Sequence, residues 1–565
     1  MKQMKETNGS KLNRWYKDMN FYHIWPRSFQ DSNGDGIGDL QGIRKRLDYL
    51  QELGMDGIWL SPIYATPNKD YGYDVSDYYT INPEFGTMED FDALIADVHA
   101  RGMKLIMDLV VNHTSSQHKW FLESKKGEDN PYHDYYLWKR SKKNQLPNNW
   151  DSLFEGKAWE YEKKIDKYYL HIFSKGQPDL NHDNPKVREE VKKVMRFWLE
   201  KGVDGFRADV ITFISKDKDL PDDHVMPFAK GLYKYTYGPN LKKYIREYRA
   251  VAQEYGAFLL GEAPVMNPKR ALQLIREDKN QALDMMFHFQ YMLADCFMID
   301  FLQRPFNLRK LKRAFSSWQT ELEGKGWNAL YLENHDHPRI LSRYGSEKYH
   351  RASGKMLAAA YLLQKGTAFV YQGQEIGMTN IRLKDPRQYK DVQLTNQCSI
   401  GRRFLGKLRT EHFARKSSRG SARTPMQWDG SKYAGFSTVK PWFYVNRNYT
   451  SINVKAAMQD KDSIWYFYKA LLAYRKSPVI RYGTYRELDK HSRKLYIYER
   501  SYQRERVLVV CSFTDKQTEY HLPGNYERYG YEKLFGNYDG NADGSVWKLR
   551  PYETVVIRQK GGDYE

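Results

Sequence analysis

Four segments of this chain end apolar runs in residues that can move protons or hold charge. Asp108 leads into Asn112-His113, Arg207-Ala208-Asp209 follows Gly205-Phe206, Glu262 follows Phe258-Leu259-Leu260-Gly261, and Asn334-His335-Asp336 follows Ala329 to Leu332. A lone Asp at a strand end is usually an Asx turn or a helix cap. Four carboxylates, two histidines and an arginine converging on one rim point instead to chemistry. A metal hydrolase would set His-x-His or His-x-x-x-His pairs beside the acids, and the segments ending in Asp108-to-His113, Asp209 and Glu262 have none; His335-Asp336-His337 is the single such spacing. Cleaving a glycosidic bond needs one carboxylate as nucleophile and one protonated carboxyl as acid. Arg207 lies two residues before Asp209, so on a strand both project to one face, and its charge is expected to keep Asp209 ionised. Glu262 ends an apolar run whose burial is expected to raise its pKa, as an acid requires.

The elements that must position these residues recur along the chain. Eight short runs rich in β-branched and aromatic residues are apolar on both faces, as buried parallel strands are. They are Phe21–Trp25, Gly57–Ile63, Lys104–Val110, Gly205–Val210, Ala257–Ala263, Leu283–Phe289, Asn328–Asn334 and Thr367–Tyr371. Amphipathic helices intervene, for example Met88–Arg101 closed by Gly102. The alternation predicts an α/β fold, a (β/α)8 TIM barrel whose chemistry sits at the C-terminal rim. The third and fourth strands start about 100 residues apart, more than one helix can consume, so an inserted subdomain is predicted there. From about Tyr482, period-two alternation in Tyr482–Leu488, Lys494–Glu499, Arg506–Ser512 and Thr554–Arg558 predicts a C-terminal antiparallel β-domain packed on the barrel. The expected units are barrel residues 1–112, inserted subdomain 113–176, barrel residues 177–481 and a β-sandwich over 482–565. A second insertion, about 380–448, follows the last strand.

Composition limits the alternatives. With 41% hydrophobic and 28% charged residues the chain is globular rather than disordered. No run approaches a membrane span, and the polar start Met1–Tyr16 lacks the apolar core of a secretory signal, so a cytoplasmic protein with no membrane partner is expected. Cys296, Cys398 and Cys511 lie too far apart in sequence for a disulfide framework or zinc knuckle. Aromatics reach 15%, more than a core needs, and rings suit the apolar faces of sugars. The net charge of +20 invites a nucleic-acid partner. Most of it is interleaved with acids, as in Lys186–Lys201, and no recognition module accompanies it, so none is expected. The lopsided stretch is 401–423, with eight Lys or Arg against one Glu.

On these residues the chain resembles glycoside hydrolase family thirteen, the α-amylase family, and within it the oligo-1,6-glucosidase and dextran glucosidase branch. The signatures are Asp108-Leu-Val-Val-Asn-His113, Gly205-Phe-Arg-Ala-Asp209, the segment around Glu262, and Asn334-His-Asp336. Gln177-Pro-Asp-Leu-Asn181, Trp25-Pro-Arg-Ser-Phe29 and Ala422-Arg-Thr-Pro-Met-Gln-Trp428 also match, and the likeness spans about residues 14 to 560. The resemblance implies Asp209 as nucleophile, Glu262 as acid/base and Asp336 as transition-state stabiliser. It implies that His113, His335 and Arg207 serve the first sugar subsite, that Asp70 and Arg423 grip the far side of a non-reducing glucose, that Tyr73 stacks beneath it, and that Asp74 supports Arg207. The expected activity is that of a retaining, exo-acting α-glucosidase on isomaltose, isomalto-oligosaccharides, panose or short dextrans. Val210, directly after the nucleophile, goes in this branch with α-1,6 linkages, where Thr goes with α-1,4.

Asp31-Ser-Asn-Gly-Asp-Gly-Ile-Gly-Asp39 has oxygen ligands at positions one, three, five and nine with Gly at six, but Gly42 rather than Glu at twelve. That pattern fits either a calcium loop or a tight Asx-rich loop. The resemblance implies a structural Ca2+ held by Asp31, Asn33, Asp35, the Ile37 carbonyl and Asp39, with Mg2+ as the alternative and no organic cofactor. Three positions depart from the branch: Ala208 for a larger residue, His337 for Gln after Asn-His-Asp, and Gly420-Ser421 for Asp-Asn. The alternatives are a sucrose isomerase or transglucosylase, of whose loop signature Arg382-Leu-Lys-Asp385 is a partial match, a trehalose-6-phosphate hydrolase, and a non-catalytic binding protein. A monomer or weak homo-oligomer is expected.

Overall fold

The computed structural model describes residues 14–142, 145–154, 156–226, 229–297, 299–540 and 544–561. Most of the segment inspected for a secretory signal therefore lies outside the described residues. Eight parallel strands form the central sheet: β1 (Asn20–Ile24), β2 (Gly57–Leu60), β3 (Lys104–Leu109), β4 (Gly205–Ala208), β5 (Phe258–Ala263), β6 (Met285–His288), β7 (Ala329–Leu330) and β8 (Thr367–Tyr371). Their order is β6-β5-β4-β3-β2-β1-β8-β7, which is the cyclic order of a (β/α)8 barrel, as the alternation predicted. Gly57 and Gly205 start β2 and β4 where aromatic neighbours leave no room. A Cβ would lie 2.6 Å from the Phe21 ring at the first and 2.7 Å from the Phe258 carbonyl oxygen at the second.

β7 is shorter than the seventh apolar run. After Leu330 the chain leaves the ladder, and Glu333 accepts the Ile340 N–H at 2.7 Å and pairs with Arg339 at 3.2 Å. These bonds satisfy the turn locally, so no further ladder is needed.

The surrounding helices carry the start signals their sequences suggest. Met88–Ala100 opens with a Thr87–Asp90 capping box and buries Phe91, Leu94, Ile95 and Val98, one face at helical spacing. Pro185–Glu200 has Pro at its first position and buries Val187, Val191, Val194, Met195 and Trp198, leaving its charged face outward.

Between β3 and β4 lies a small three-stranded sheet of Trp138–Lys139, Trp159–Glu162 and Lys167–Leu170. Its core residues Trp150, Phe154, Trp159, Ile172 and Phe173 form one cluster with Val210 and Phe213, which follow β4. After β8, helices Val392–Leu405 and Lys407–Ser417 form a second projection.

The C-terminal unit has strands β9 (Thr484–Leu488), β10 (Leu495–Tyr502), β11 (Glu505–Ser512), β12 (Thr518–His521), β13 (Tyr531–Gly536), β14 (Val546–Leu549) and β15 (Thr554–Gln559). The main sheet runs β9-β10-β11-β15-β13, and β12 pairs with β14. Alternation explains its placement. Leu495, Ile497, Leu508 and Val510 pack under Tyr520, Trp547 and Leu549 of the ribbon, while Tyr496, Tyr498, Val507 and Val509 join the barrel's core. Lys312 caps the join by donating to the carbonyls of Asp489 and Leu495. No helix of the described residues is long and apolar enough to cross a membrane.

Candidate active site

The ladder register sets the site. Asp108 on β3 is the direct partner of Arg207 on β4, and Arg207 is the partner of Leu260 on β5, two residues before Glu262. All three side chains face the barrel interior beneath its C-terminal rim. Arg207 Nη1 contacts Asp108 Oδ1 at 2.5 Å and Asp209 Oδ1 at 2.6 Å, and Nη2 contacts Glu262 Oε1 at 2.6 Å. Trp59 and Tyr73 donate to the other Asp108 oxygen at 3.1 and 3.2 Å. One buried guanidinium thus serves three buried carboxylates.

That sharing limits how far Arg207 alone can favour the ionised form of Asp209. Three ionised carboxylates on one cation would leave a buried formal charge of −2, which is costly in a medium of low polarity. Burial, opposed by Arg207 and reinforced by Asp108 and Asp336, pushes Asp209 up to about 7. Burial, again opposed by Arg207, pushes Glu262 to about 7, with Asp209 and Asp336 adding to the rise. The pair therefore retains one proton near neutrality, the state in which one carboxyl can donate while the other attacks.

Asp336 is the opposite case. Burial works to raise it, but the His335 ring and the guanidinium groups of Arg419 and Arg423 outweigh burial and hold it well below the usual range. His335 is itself lowered to about 4 by burial, so near neutrality the two arginines keep Asp336 ionised. Arg419 reaches Asp336 at 3.3 Å and Arg423 at 3.2 Å.

Asp70, Tyr73, His113, Asp209, Val210, Glu262 and Asp336 line one pocket, together with Phe154, Phe173, Phe213, Phe289, His337 and Arg419. Arg207 lies beneath it and His335 behind it. The His335 ring is stacked on Tyr73 at 5.2 Å and on Trp25 at 5.0 Å. The far wall is closed by hydrogen bonds. Gln177 donates to Asp70 at 3.1 Å and to the Tyr73 carbonyl at 3.2 Å, and His113 Nε2 lies 3.0 Å from that same carbonyl. Burial lowers His113 to about 4, so its ring is neutral.

One sequence reading needs correction here. Asp74 does not reach Arg207; it accepts Thr66 Oγ1 and the N–H groups of Lys69 and Asp70, and Asp108 takes the supporting place. Asp70 and Arg423, expected to grip the far side of a sugar, stand near one another without a direct ion pair, and nothing in the structure overturns that expectation. Arg423 donates to the His335 carbonyl and to Asp336, and Arg419 links the two acids at 3.9 Å from Asp70 and 3.3 Å from Asp336. Asp391 anchors Arg419 at 2.9 Å. Sequence reading missed Arg419 because it falls in the basic stretch, where nothing local marks one arginine as buried against acids 28 and 83 residues away and, in Asp70, far earlier in the chain.

The departures also have visible settings. His337 meets the Phe289 ring edge-to-face at 4.9 Å. Gly420 sits so close to Tyr389 that a Cβ would lie 2.5 Å from its carbonyl oxygen, which excludes the usual Asp unless that turn shifts.

The loop 31–39 is held by its own side chains. Asp31 accepts the N–H groups of Asn33, Gly34 and Gly36 and the Ser437 hydroxyl. Asp35 accepts the Ile37 N–H at 2.7 Å, and Asp39 accepts Ser32 and caps the following helix through Gly42. Among the described residues no three His, Cys, Asp or Glu side chains are gathered as a metal site. The oxygen donors Asp31, Asn33, Asp35 and Asp39 nevertheless line a single loop, and hard oxygen donors suit Ca2+ or Mg2+.

A pocket of carboxylates and aromatic rings at the mouth of a (β/α)8 barrel defines a carbohydrate-cleaving enzyme, and the comparisons agree. Residues 23–483 match the alpha amylase catalytic domain and residues 485–556 the maltogenic amylase C-terminal domain. The chain belongs to the α-amylase family of glycoside hydrolases. It is 46% identical to the oligo-1,6-glucosidase of Parageobacillus thermoglucosidasius, over 96% of this chain and 99% of that one. Among solved structures, a trehalose-6-phosphate hydrolase of Bacillus licheniformis superposes with a TM-score of 0.92 at 41% identity, covering 97% of this chain and 100% of that one. An isomaltulose synthase of Klebsiella sp. LX3 does so with a TM-score of 0.92 at 38% identity, covering 97% and 99%.

Proposed function

We propose that the protein is a retaining, exo-acting α-glucosidase that hydrolyses α-1,6 bonds at the non-reducing end of isomaltose, isomalto-oligosaccharides, panose or short dextrans. Asp209 attacks the anomeric carbon, and Glu262 gives its proton to the departing glycosidic oxygen. Water then cleaves the glucosyl–Asp209 ester while Glu262 takes the water's proton, so the α configuration is kept. Asp336, held ionised by Arg419 and Arg423, faces the positive charge that develops on the sugar ring. The carrying observation is Arg207 bridging Asp209 and Glu262, because double displacement needs close carboxyl groups, about 5–5.5 Å apart. The wall of Asp70, Gln177 and His113 supports recognition of a chain end.

The same reading keeps the Ca2+ site: Asp31, Asn33, Asp35, the Ile37 carbonyl and Asp39 would hold an ion that braces the loop, remote from the reaction. The test of the activity is product analysis with isomaltose, maltose, sucrose and trehalose-6-phosphate in parallel, using Asp209→Asn as control. Glucose from isomaltose, with little from maltose, is expected. Isomaltulose from sucrose, or glucose-6-phosphate from the phosphosugar, would replace this reading.

A further inference from the structure

The basic stretch has a use outside the reaction. Helices Val392–Leu405 and Lys407–Ser417 meet at Gly406, whose φ of +74° makes a corner of one residue. On the inner side Leu394, Cys398 and Ala414 pack with Ile381, Tyr389 and Phe443. On the outer side Phe404 and Leu408 are each 82% exposed, a value that among large apolar side chains of the described residues only Val225 matches. Arg402, Arg403, Lys407 and Arg409 flank them along the chain, all exposed, with Arg415 and Lys416 further along.

Beside the corner lies a cleft of about 600 Å³ bordered by Lys384, Asp385, Arg387, Arg402, Lys407 and Glu411. Asp385 engages Arg387 at 2.6 Å, and Glu411 lies 3.8 Å from Arg402. Among the described residues no acidic side chain pairs with Lys384, Arg403, Lys407 or Arg409.

Cations alone would suit any polyanion. Two protruding apolar side chains flanked by these cations gain nothing from a phosphate polymer in water. They gain from an interface that is anionic outside and apolar a few ångströms deeper, and an acidic bilayer has that layering. We propose that this corner docks the enzyme on an anionic phospholipid surface. Phe404 and Leu408 enter the headgroup–acyl boundary, the four cations meet lipid phosphates, and the Lys384–Lys407 cleft takes a headgroup phosphate. The sequence expectation of no membrane partner rested on the absence of a spanning run. Surface docking needs only a few residues, brought together here by a helix corner.

The experiment is co-sedimentation of the full-length protein with vesicles of phosphatidylglycerol and phosphatidylcholine, against phosphatidylcholine alone. Binding to the anionic vesicles only, released as salt rises, is expected. Arg402→Gln with Arg403→Gln should weaken binding about 25-fold, at about fivefold per charge. Phe404→Ser with Leu408→Ser should weaken it about tenfold or more. All four changes lie outside the pocket, so unchanged glucosidase activity shows that the variants are folded. No binding to anionic vesicles overturns the proposal. So does binding that persists undiminished in Phe404→Ser/Leu408→Ser, which would be electrostatics alone. Retention on heparin without vesicle binding would assign the corner to a polyanion instead.

Discussion

Val210 donates its backbone N–H to Glu262 Oε2 at 3.1 Å from a left-handed conformation, φ +35°. The residue after Asp209 thereby ties the ends of β4 and β5 together. A β-branched residue rarely adopts such a backbone, and the conformation costs about 1–3 kcal/mol. The cluster of Trp150, Phe173 and Phe213 around the Val210 side chain holds it in place. Strain next to Asp209 and Glu262 links the inserted subdomain's packing to the geometry of these carboxylates.

Val210→Thr keeps the shape and adds a hydroxyl at the pocket wall. The ratio of kcat/KM for isomaltose over maltose should fall by about tenfold or more, within the range a small pocket change commands. An unchanged ratio would remove Val210 from linkage choice.

Activity should be bell-shaped in pH, because it needs one proton on the Asp209–Glu262 pair, whose members are both raised to about 7. Both folded pKa values exceed the unfolded ones. Their contribution to stability is therefore full below about pH 4 and is lost as pH rises through about 7. Asp209→Asn, which carries no charge, should melt higher than the parent at pH 8 by about 2 °C, with the gap closing at pH 5. Thermal melts across this range decide it.

Arg207→Gln removes the cation that three carboxylates share. A fall in kcat of about 10³ or more is expected, with a loss of stability of about 3–5 kcal/mol at neutral pH from the uncompensated buried acids. The stability loss should shrink at low pH, where those acids are protonated.

Arg419→Gln unlinks Asp70, Asp336 and Asp391. Steady-state kinetics on isomaltose should show KM rising and kcat/KM falling about 10²-fold. Asp391→Asn should give a smaller change of the same kind, since Arg419 keeps Asp336 at 3.3 Å.

If the 31–39 loop takes Ca2+, chelation should lower Tm and added Ca2+ restore it, with glucosidase kinetics at 25 °C little changed. Asp35→Ala should abolish the Ca2+ response while leaving Asp39 to cap its helix. A Tm indifferent to chelator and to Ca2+ would leave the loop as an Asx-rich turn.

Much of this site is legible in the chain because parallel strands impose it. Strands buried on both faces must be apolar, so Asp108, Arg207, Asp209 and Glu262 stand out at their ends, and a residue spacing of two puts Arg207 and Asp209 on one side. The barrel's own closure then requires those ends to share a rim. Three features have no such local rule. Arg419 is one of eight basic residues in its stretch, and only the loop after β8 folding over the rim selects it to join Asp70, Asp336 and Asp391. The replacement of Asp74 by Asp108 as support for Arg207 follows from ladder register, which motif order does not contain. The sharing of one guanidinium by three acids, which leaves Arg207 unable to offset the burial that raises Asp209, depends on distances of 2.5–2.6 Å between three different strands. Sequence alone determined which groups are present and at which strand ends they stand, because hydrophobic periodicity is local. Tertiary structure decided which charges touch, and so which protons are held, because Coulomb energies depend on contacts between residues far apart in the chain.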